Sequence, residues 1–168
     1  MSDDFSRVFL DFSRRKLMQE FWPRTCQCLD ELTEDQIWWR PQETSNSIGN
    51  LLLHLNGNVR QWILAPLGGL SSQRNRAAEF AERQPIASRE LRDRLETTLR
   101  EVDQVLQQIE PTTLQRTYTI QNYENVTGLE AIYHVVEHFS LHYGQIVYIT
   151  KLLTGQNLRF YRHLDEQK

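Results

Sequence analysis

The sequence lacks any long hydrophobic run, and this absence argues against a protein whose helices span a membrane. A membrane-spanning helix needs roughly 20 consecutive apolar residues. Hydrophobic residues make up only 39% of this 168-residue chain and are spread along it. The first residues, MSDDFSRVF, are acidic and lack the apolar core of a signal peptide. We therefore expect a cytoplasmic protein with no membrane partner.

The sequence also lacks a large excess of one charge, and it has only two cysteines. The chain has 19 Lys and Arg residues against 22 Asp and Glu, for a net charge of −3. It therefore lacks the basic footprint of a nucleic-acid-binding protein. The two cysteines, Cys26 and Cys28, lie two residues apart on a predicted helix and point to roughly opposite sides. We predict neither a disulfide between them nor a shared metal ion.

Apolar residues at three- and four-residue steps predict four long helices. They cover residues 5–29, 47–65, 88–110 and 130–153. Pro23 interrupts the first helix and is expected to kink or restart it. The length suits one domain with a sizeable core. We therefore predict an all-α protein, a four-helix bundle that forms a single domain over residues 1–168.

Helix ends and short elements follow from local signals. Capping residues precede three of the long helices: Ser47, Ser88, and Thr127 with Glu130 as a capping box. A short helix is predicted to begin at Thr33, a second over residues 74–83, and an extended piece over residues 116–120. The connections are long enough to cross the bundle from end to end, so their length leaves the topology open.

The fourth predicted helix carries three of the five histidines. His134, His138 and His142 recur every four residues, so successive imidazoles lie one turn apart on nearly the same face. Polar rings inside an apolar helix cost free energy unless each finds a partner. A divalent metal ion is one such partner and hydrogen-bonding groups of the core are another. The spacing alone favours neither.

One ion can accept only two adjacent rings from this series, because His134 and His142 are about 12 Å apart along the helix axis. The usable pair is either His134 with His138 or His138 with His142. Of the other histidines, His54 in the middle of the second predicted helix is a better third ligand than His163 in the polar tail. A three-histidine set with open positions suits zinc and also accepts nickel or iron.

Amide side chains near these histidines are candidates for orienting them. Asn50 and Asn58 lie one helical turn to either side of His54, and Gln145 follows His142 by three residues. Amides in these positions are predicted to orient the ligands or a bound water molecule through hydrogen bonds.

Two segments of the sequence resemble a known family. SIGNLLLHLNGNVRQWI on the second predicted helix and HVVEHFSLHYGQIVYI on the fourth resemble the DinB/YfiT-like family of bacterial metalloproteins, and the similarity extends to the WWRP segment before the second helix. The resemblance implies that His54, His138 and His142 hold the metal ion, ahead of a Gly-Gln-Ile stretch at residues 144–146. His134 is an addition to the usual triad. It either alters the mouth of the pocket or has no role in the site.

The resemblance also implies a compact bundle with up-down-down-up topology, often a homodimer. Characterised branches of that family include enzymes in which the metal activates a low-molecular-weight thiol for transfer to an electrophile. We therefore expect a divalent metal ion, zinc or nickel, and a metal-dependent thiol S-transferase or related detoxifying enzyme. Its partners would be a small-molecule thiol and an electrophile. Arg74 and Arg76 could bind an acidic thiol, although a solvated loop accounts for them equally well.

Two other functions stay open on the sequence. A non-catalytic metal-binding stress or interaction protein would use the same three histidines. Metal-dependent hydrolysis is less well supported because Glu137, the neighbour of His138, diverges from it by about 100° around the helix. Open coordination positions and charged walls around the ion would favour an enzyme, whereas a closed apolar lid would favour a structural or binding role.

Overall fold

The computed structural model describes residues 3–71 and 73–162. Helices dominate these residues: α1 Asp3–Arg15, α2 Trp22–Asp30, α3 Glu34–Trp38, α4 Ile48–Val59, α5 Arg76–Ala81, α6 Ser88–Gln108 and α7 Gly128–Thr154. A hairpin precedes α7, with strands β1 Thr117–Ile120 and β2 Tyr123–Thr127. The prediction of an all-α protein is confirmed for this part of the chain.

The first long helix is continuous from α1 to α2, because the π-helical segment Lys16–Phe21 joins them. Pro23 lies in the first turn of α2. Proline has no N–H to donate to the carbonyl four residues earlier, and here that carbonyl belongs to the π-helical segment. The predicted interruption at Pro23 is therefore a change of helix type rather than a break. A second π-helical segment, Arg60–Leu64, extends α4.

Three helix starts are formed by capping boxes. In each box the N-cap hydroxyl accepts a hydrogen bond from a backbone N–H, while the side chain three residues on accepts one from the N-cap backbone. The pairs are Thr33 with Gln36, Ser47 with Asn50, and Thr127 with Glu130. The predicted end of α7 is also confirmed: Gly155 adopts the left-handed conformation with φ 65° and donates its N–H to the carbonyl of Lys151.

The predicted N-cap at Ser88 is wrong. Ser88 is the first residue of α6, and Ala87 before it provides no side-chain cap. The backbone N–H of Ser88 donates instead to the carboxylate oxygens of Glu34, at 3.1 and 2.9 Å. Glu34 of α3 therefore satisfies one of the N–H groups that the first turn of α6 leaves without a partner inside the helix.

The helix α4 lies at the centre of the core. It packs against α5, α6 and α7, while the helix formed by α1 and α2 packs against α6 and α7. Large side chains that are almost fully buried meet along these contacts: Leu17, Ile37, Leu51, Leu55, Leu95 and Phe139. Because α4 is covered on several sides, its polar residues must find partners inside the protein. His54 is one of these residues.

The hairpin was only half predicted. The extended piece expected over residues 116–120 is confirmed as β1, but its partner β2 was not foreseen. A two-residue turn joins the strands, and Gln121 takes φ 57° in it. The side chain of Gln121 donates to Gln61 at 2.5 Å, which holds the hairpin tip against the end of the α4 helix.

None of the helices in the described ranges combines the length and the apolar character that a bilayer-spanning segment requires.

Gly49 on α4 is expected not to tolerate a side chain. A Cβ atom there would lie 2.7 Å from ring carbons of Trp38, so Gly49→Ala forces the indole or the helix to move. We expect the free energy of unfolding to fall by about 1–3 kcal/mol, as in other overpacked cores. Urea denaturation measures this. Gly144→Ala is the matched control because its Cβ meets nothing within 4 Å. Equal stability of the two variants would contradict the packing described here.

Candidate metal centre

His54 of α4 and His138 and His142 of α7 come together in the structure. The Nε2 atom of His138 lies 3.1 Å from Nε2 of His54 and 3.2 Å from Nε2 of His142. Two nitrogen ligands on a tetrahedral zinc ion, each at about 2.0–2.1 Å, are about 3.3–3.4 Å apart. Each of the three residues offers a ligand atom within 4.8 Å of the other two, so together they could hold a metal ion.

Glu79 of α5 orients His54, and this contact was not predicted. Its Oε2 lies 2.9 Å from Nδ1 of His54, and its Oε1 accepts from Nε of Arg74 at 2.7 Å. Burial alone would raise the pKa of Glu79, but the hydrogen bonds from Arg74 and His54 lower it below its usual value. Arg74 Nη2 also lies 2.9 Å from Nδ1 of His54. An ionised carboxylate can only accept, and a lone pair on Nδ1 would face it without a proton between them, so we assign the proton of His54 to Nδ1.

The hydrogen bonds at Nδ1 of His54 and of His142 leave the Nε2 lone pair of each ring pointing at His138. Nδ1 of His142 lies 2.8 Å from the amide oxygen of Gln145, so this nitrogen, like Nδ1 of His54, is the protonated one. Both Nε2 atoms are then acceptors, and one proton on Nε2 of His138 can satisfy only one of them. Hydrogen bonding among the rings therefore leaves a buried lone pair unsatisfied, whereas a cation could accept all three.

Burial favours the neutral form of two of the three converging rings, His138 and His142. Burial, followed by the neighbouring imidazoles of His142 and His54, lowers the pKa of His138 to about 3. Burial also lowers the pKa of His142, although its hydrogen bond to Gln145 works in the opposite direction. A neutral ring is the form that offers a lone pair to a metal, so the burial of His138 and His142 favours the form that binds one.

The predicted orienting amides have different partners. Gln145 contacts His142, as predicted. Asn50 contacts the backbone instead of a triad ring: its Nδ2 donates to the carbonyls of Glu79 and Glu82, at 2.9 and 3.1 Å. Asn50 therefore holds the end of α5 in place. Because α5 carries Glu79, Asn50 affects the position of His54 only indirectly.

His134 stands apart from the three converging rings. Its Nε2 accepts from Nδ2 of Asn58 at 3.2 Å, and its ring packs against Trp62 with centroids 4.0 Å apart. It therefore forms part of a pocket wall beside His138. The fifth histidine, His163, lies outside the described residues, so the preference for His54 over His163 is not tested there.

Replacing His134 is expected to leave metal binding largely intact. The His134→Ala variant loses a pocket wall but none of the three converging Nε2 atoms, so its metal affinity should change much less than that of His142→Ala. Titration of zinc against a chelator of known affinity measures both. The reverse order of effects would move the site one turn toward the amino terminus of α7.

Arg74 and Arg76 have separate environments. The side chain of Arg74 is 3% exposed and ion-paired with Glu79, so it is neither a solvated loop residue nor free to bind a substrate. Arg76 is exposed, with its guanidinium carbon 4.8 Å from the centre of the Phe80 ring. The short helix expected over residues 74–83 is present as α5, but nothing in its spacing links Glu79 to a histidine 25 residues earlier.

A pocket of about 550 Å³ opens beside the converging rings. The histidines His54, His134 and His138 form one side of it. The other lining residues are two aromatic, two basic and two amide residues: Trp62, Tyr123, Arg74, Arg76, Asn58 and Gln121. No carboxylate is among the residues that line it. The site is therefore open and positively charged, with a rim formed by the hairpin tip.

Comparisons with known proteins establish the fold and the family. A crystal structure of a conserved protein from Enterococcus faecalis has a similar fold, with a TM-score of 0.63 and 18% sequence identity over 91% of this chain and 97% of that chain. At this identity the likeness concerns the fold alone. No curated protein matches the chain significantly. The family described as "Protein of unknown function (DUF1572)" matches residues 4–162, nearly the whole chain, and the protein therefore belongs to the DUF1572 family.

Proposed function

We propose that His54, His138 and His142 bind a divalent metal ion, zinc or nickel, and that the protein is a metal-dependent S-transferase for a low-molecular-weight thiol. The convergence of three Nε2 atoms, two of them on rings fixed by Glu79 and Gln145, carries the proposal. A bound ion would supply positive charge that lowers the pKa of a thiol ligand and keeps it as the nucleophilic thiolate.

The surroundings of the rings favour an enzyme over a non-catalytic metal-binding protein. The pocket is open to solvent and has guanidinium groups in its wall, where a structural metal would be enclosed. Hydrolysis is the weaker alternative because no lining residue is a carboxylate that could act as a general base. Glu137 is exposed on α7 and is not among the lining residues.

The proposal includes the fold and assembly that the DinB/YfiT-like resemblance implies. The four long helical stretches, 3–30, 48–64, 88–108 and 128–154, would form a four-helix bundle with up-down-down-up topology as one domain over residues 1–168. The packing of α4 against both α6 and α7 supports this arrangement. We further propose a cytoplasmic homodimer.

Conjugation of L-cysteine with 1-chloro-2,4-dinitrobenzene tests the activity. In this reaction the sulfur–carbon bond forms, the carbon–chlorine bond breaks, chloride leaves with the electron pair and the thiol proton passes to solvent. We expect a zinc- or nickel-dependent rate in the wild-type protein and none in the His54→Ala/His142→Ala variant. Stoichiometric metal without turnover across several thiols and electrophiles would favour the non-catalytic alternative. No bound metal in either protein would overturn the metal centre.

A further inference from the structure

The pocket beside the three histidines carries an unbalanced positive charge. Arg74 and Arg76 both line it, and no lining residue is acidic. Glu79 neutralises Arg74 through an ion pair of 2.7 Å. Arg76 forms no ion pair with any acid of the part of the chain that the structure describes. A guanidinium without a countercharge, at the wall of a pocket, is suited to bind a carboxylate through two parallel hydrogen bonds.

Arg76 also lies close to the proposed metal ligands. Its guanidinium carbon is 4.8 Å from the centre of the Phe80 ring, and that ring is 4.5 Å from the ring of His54. One aromatic ring therefore separates the charge from the histidine. A molecule of a few heavy atoms could reach from Arg76 to the converging Nε2 atoms.

Two further residues of the pocket have unused hydrogen-bonding capacity. Asn58 Oδ1 and Trp62 Nε1 are buried and have no hydrogen-bond partner among the described residues, although their side chains line the pocket. The residues are 3% and 7% exposed. A buried polar atom without a partner is costly, and one of these atoms is an acceptor while the other is a donor. An amide group of a ligand offers both complements.

We propose that this pocket binds the carboxylate-bearing part of a small organic acid, with the carboxylate on Arg76 and an amide of the same molecule on Asn58 and Trp62. The inference rests on the proposed function, because it makes the thiol substrate a thiol that carries a carboxylate. Asn58 Oδ1 and Trp62 Nε1 are both closed to solvent, so contact with them requires neighbouring side chains to move, and we propose that the ring of Tyr123 swings outward. That ring lies tilted by 46° against Trp62, with centroids 5.9 Å apart, and belongs to a residue that is 59% exposed.

Calorimetric titration of the zinc-loaded protein tests the role of Arg76. The two probes are 3-mercaptopropionate and 2-mercaptoethanol, which has a similar length but no carboxylate. We expect the charged thiol to bind about tenfold more tightly, as one charge-assisted contact allows. The Arg76→Gln variant should lose this preference and keep its metal. Arg89→Gln is the matched control, since the side chain of Arg89 is 92% exposed on α6.

Equal affinities for the two thiols in the wild-type protein, or a preference that survives Arg76→Gln, would overturn the inference. Binding of inorganic phosphate with the same dependence on Arg76, without discrimination between the thiols, would assign the pocket to a phosphorylated ligand and also overturn it. Propionate titrated into metal-free protein separates this inference from the proposed function. Arg76-dependent binding of propionate, together with no metal-dependent binding of either thiol, would support the anion site and overturn the thiol chemistry alone.

The Trp62→Phe variant tests the amide contact, because it keeps the aromatic ring and removes only the N–H donor. We expect N-acetyl-L-cysteine, which carries an amide, to bind roughly fivefold more weakly to this variant. The affinity for 3-mercaptopropionate, which has no amide, should stay unchanged. An equal loss for both ligands, or no loss for either, would overturn the assignment of the amide to Trp62.

Discussion

His138→Ala is expected to abolish stoichiometric metal binding. The Nε2 atom of His138 is close to both other proposed ligand atoms. It lies 3.1 Å from Nε2 of His54 on α4 and 3.2 Å from Nε2 of His142 on α7. Without it, two histidines on different helices remain, and a two-histidine site competes poorly with water and buffer for a divalent ion. Mass spectrometry of the metal content after dialysis measures the loss.

The control for this variant is His134→Ala, which removes the same type of residue one turn earlier on α7. Its metal content should stay near that of the wild-type protein, because His134 contacts Asn58 and Trp62 rather than the converging rings. Circular dichroism should show the same helix content for both variants. Stoichiometric metal in the His138→Ala protein would refute the proposed ligand set.

Glu79→Gln is expected to cause the largest loss of stability and a clear loss of metal affinity. It leaves the guanidinium of Arg74, whose side chain is 3% exposed, without its countercharge. Breaking a buried ion pair by removing one partner costs about 3–5 kcal/mol. The variant also weakens the acceptor that orients His54, and changes of this kind lower metal affinity by about 10- to 100-fold. Urea denaturation of the metal-free protein and a chelator competition measure the two effects.

Two further variants separate these effects. In Glu90→Gln the carboxylate lost is half exposed and paired with Arg94 on the surface of α6, so stability should fall by less than about 1 kcal/mol. The double variant Arg74→Gln/Glu79→Gln removes both buried charges and should recover part of the stability but not the metal affinity. If Glu79→Gln is as stable as Glu90→Gln, the buried pair does not support the fold.

The long helices and their ends could be predicted because the interactions that define them are local. Apolar residues at three- and four-residue steps show which face of each helix is buried. The capping boxes at Ser47 and Thr127 involve residues three apart, so the sequence contains both partners side by side. Ser88 shows the limit of this reasoning, since its N–H is satisfied by Glu34, 54 residues away.

The spacing of the histidines along the chain predicted the metal site only in part. The four-residue spacing restricts a metal to two adjacent rings of α7, but it does not choose between the pair that includes His134 and the pair that includes His142. That choice came from the resemblance to a known family, whereas His54 was preferred to His163 for its place in the middle of the second predicted helix. The contact of Gln145 with His142, three residues apart on one helix, was again predictable from local spacing.

Spacing along the chain thus determined the long helices, the caps at Ser47 and Thr127 and the set of candidate histidines. Tertiary packing decided which rings meet, how Glu79 of α5 reaches His54, and why His134 packs on Trp62 instead of joining the triad. It also brought the hairpin over the pocket and buried Arg74 while leaving Arg76 exposed. These contacts join residues far apart in the chain, and they depend on how α4, α5 and α7 pack together, which the periodicity of one helix does not encode.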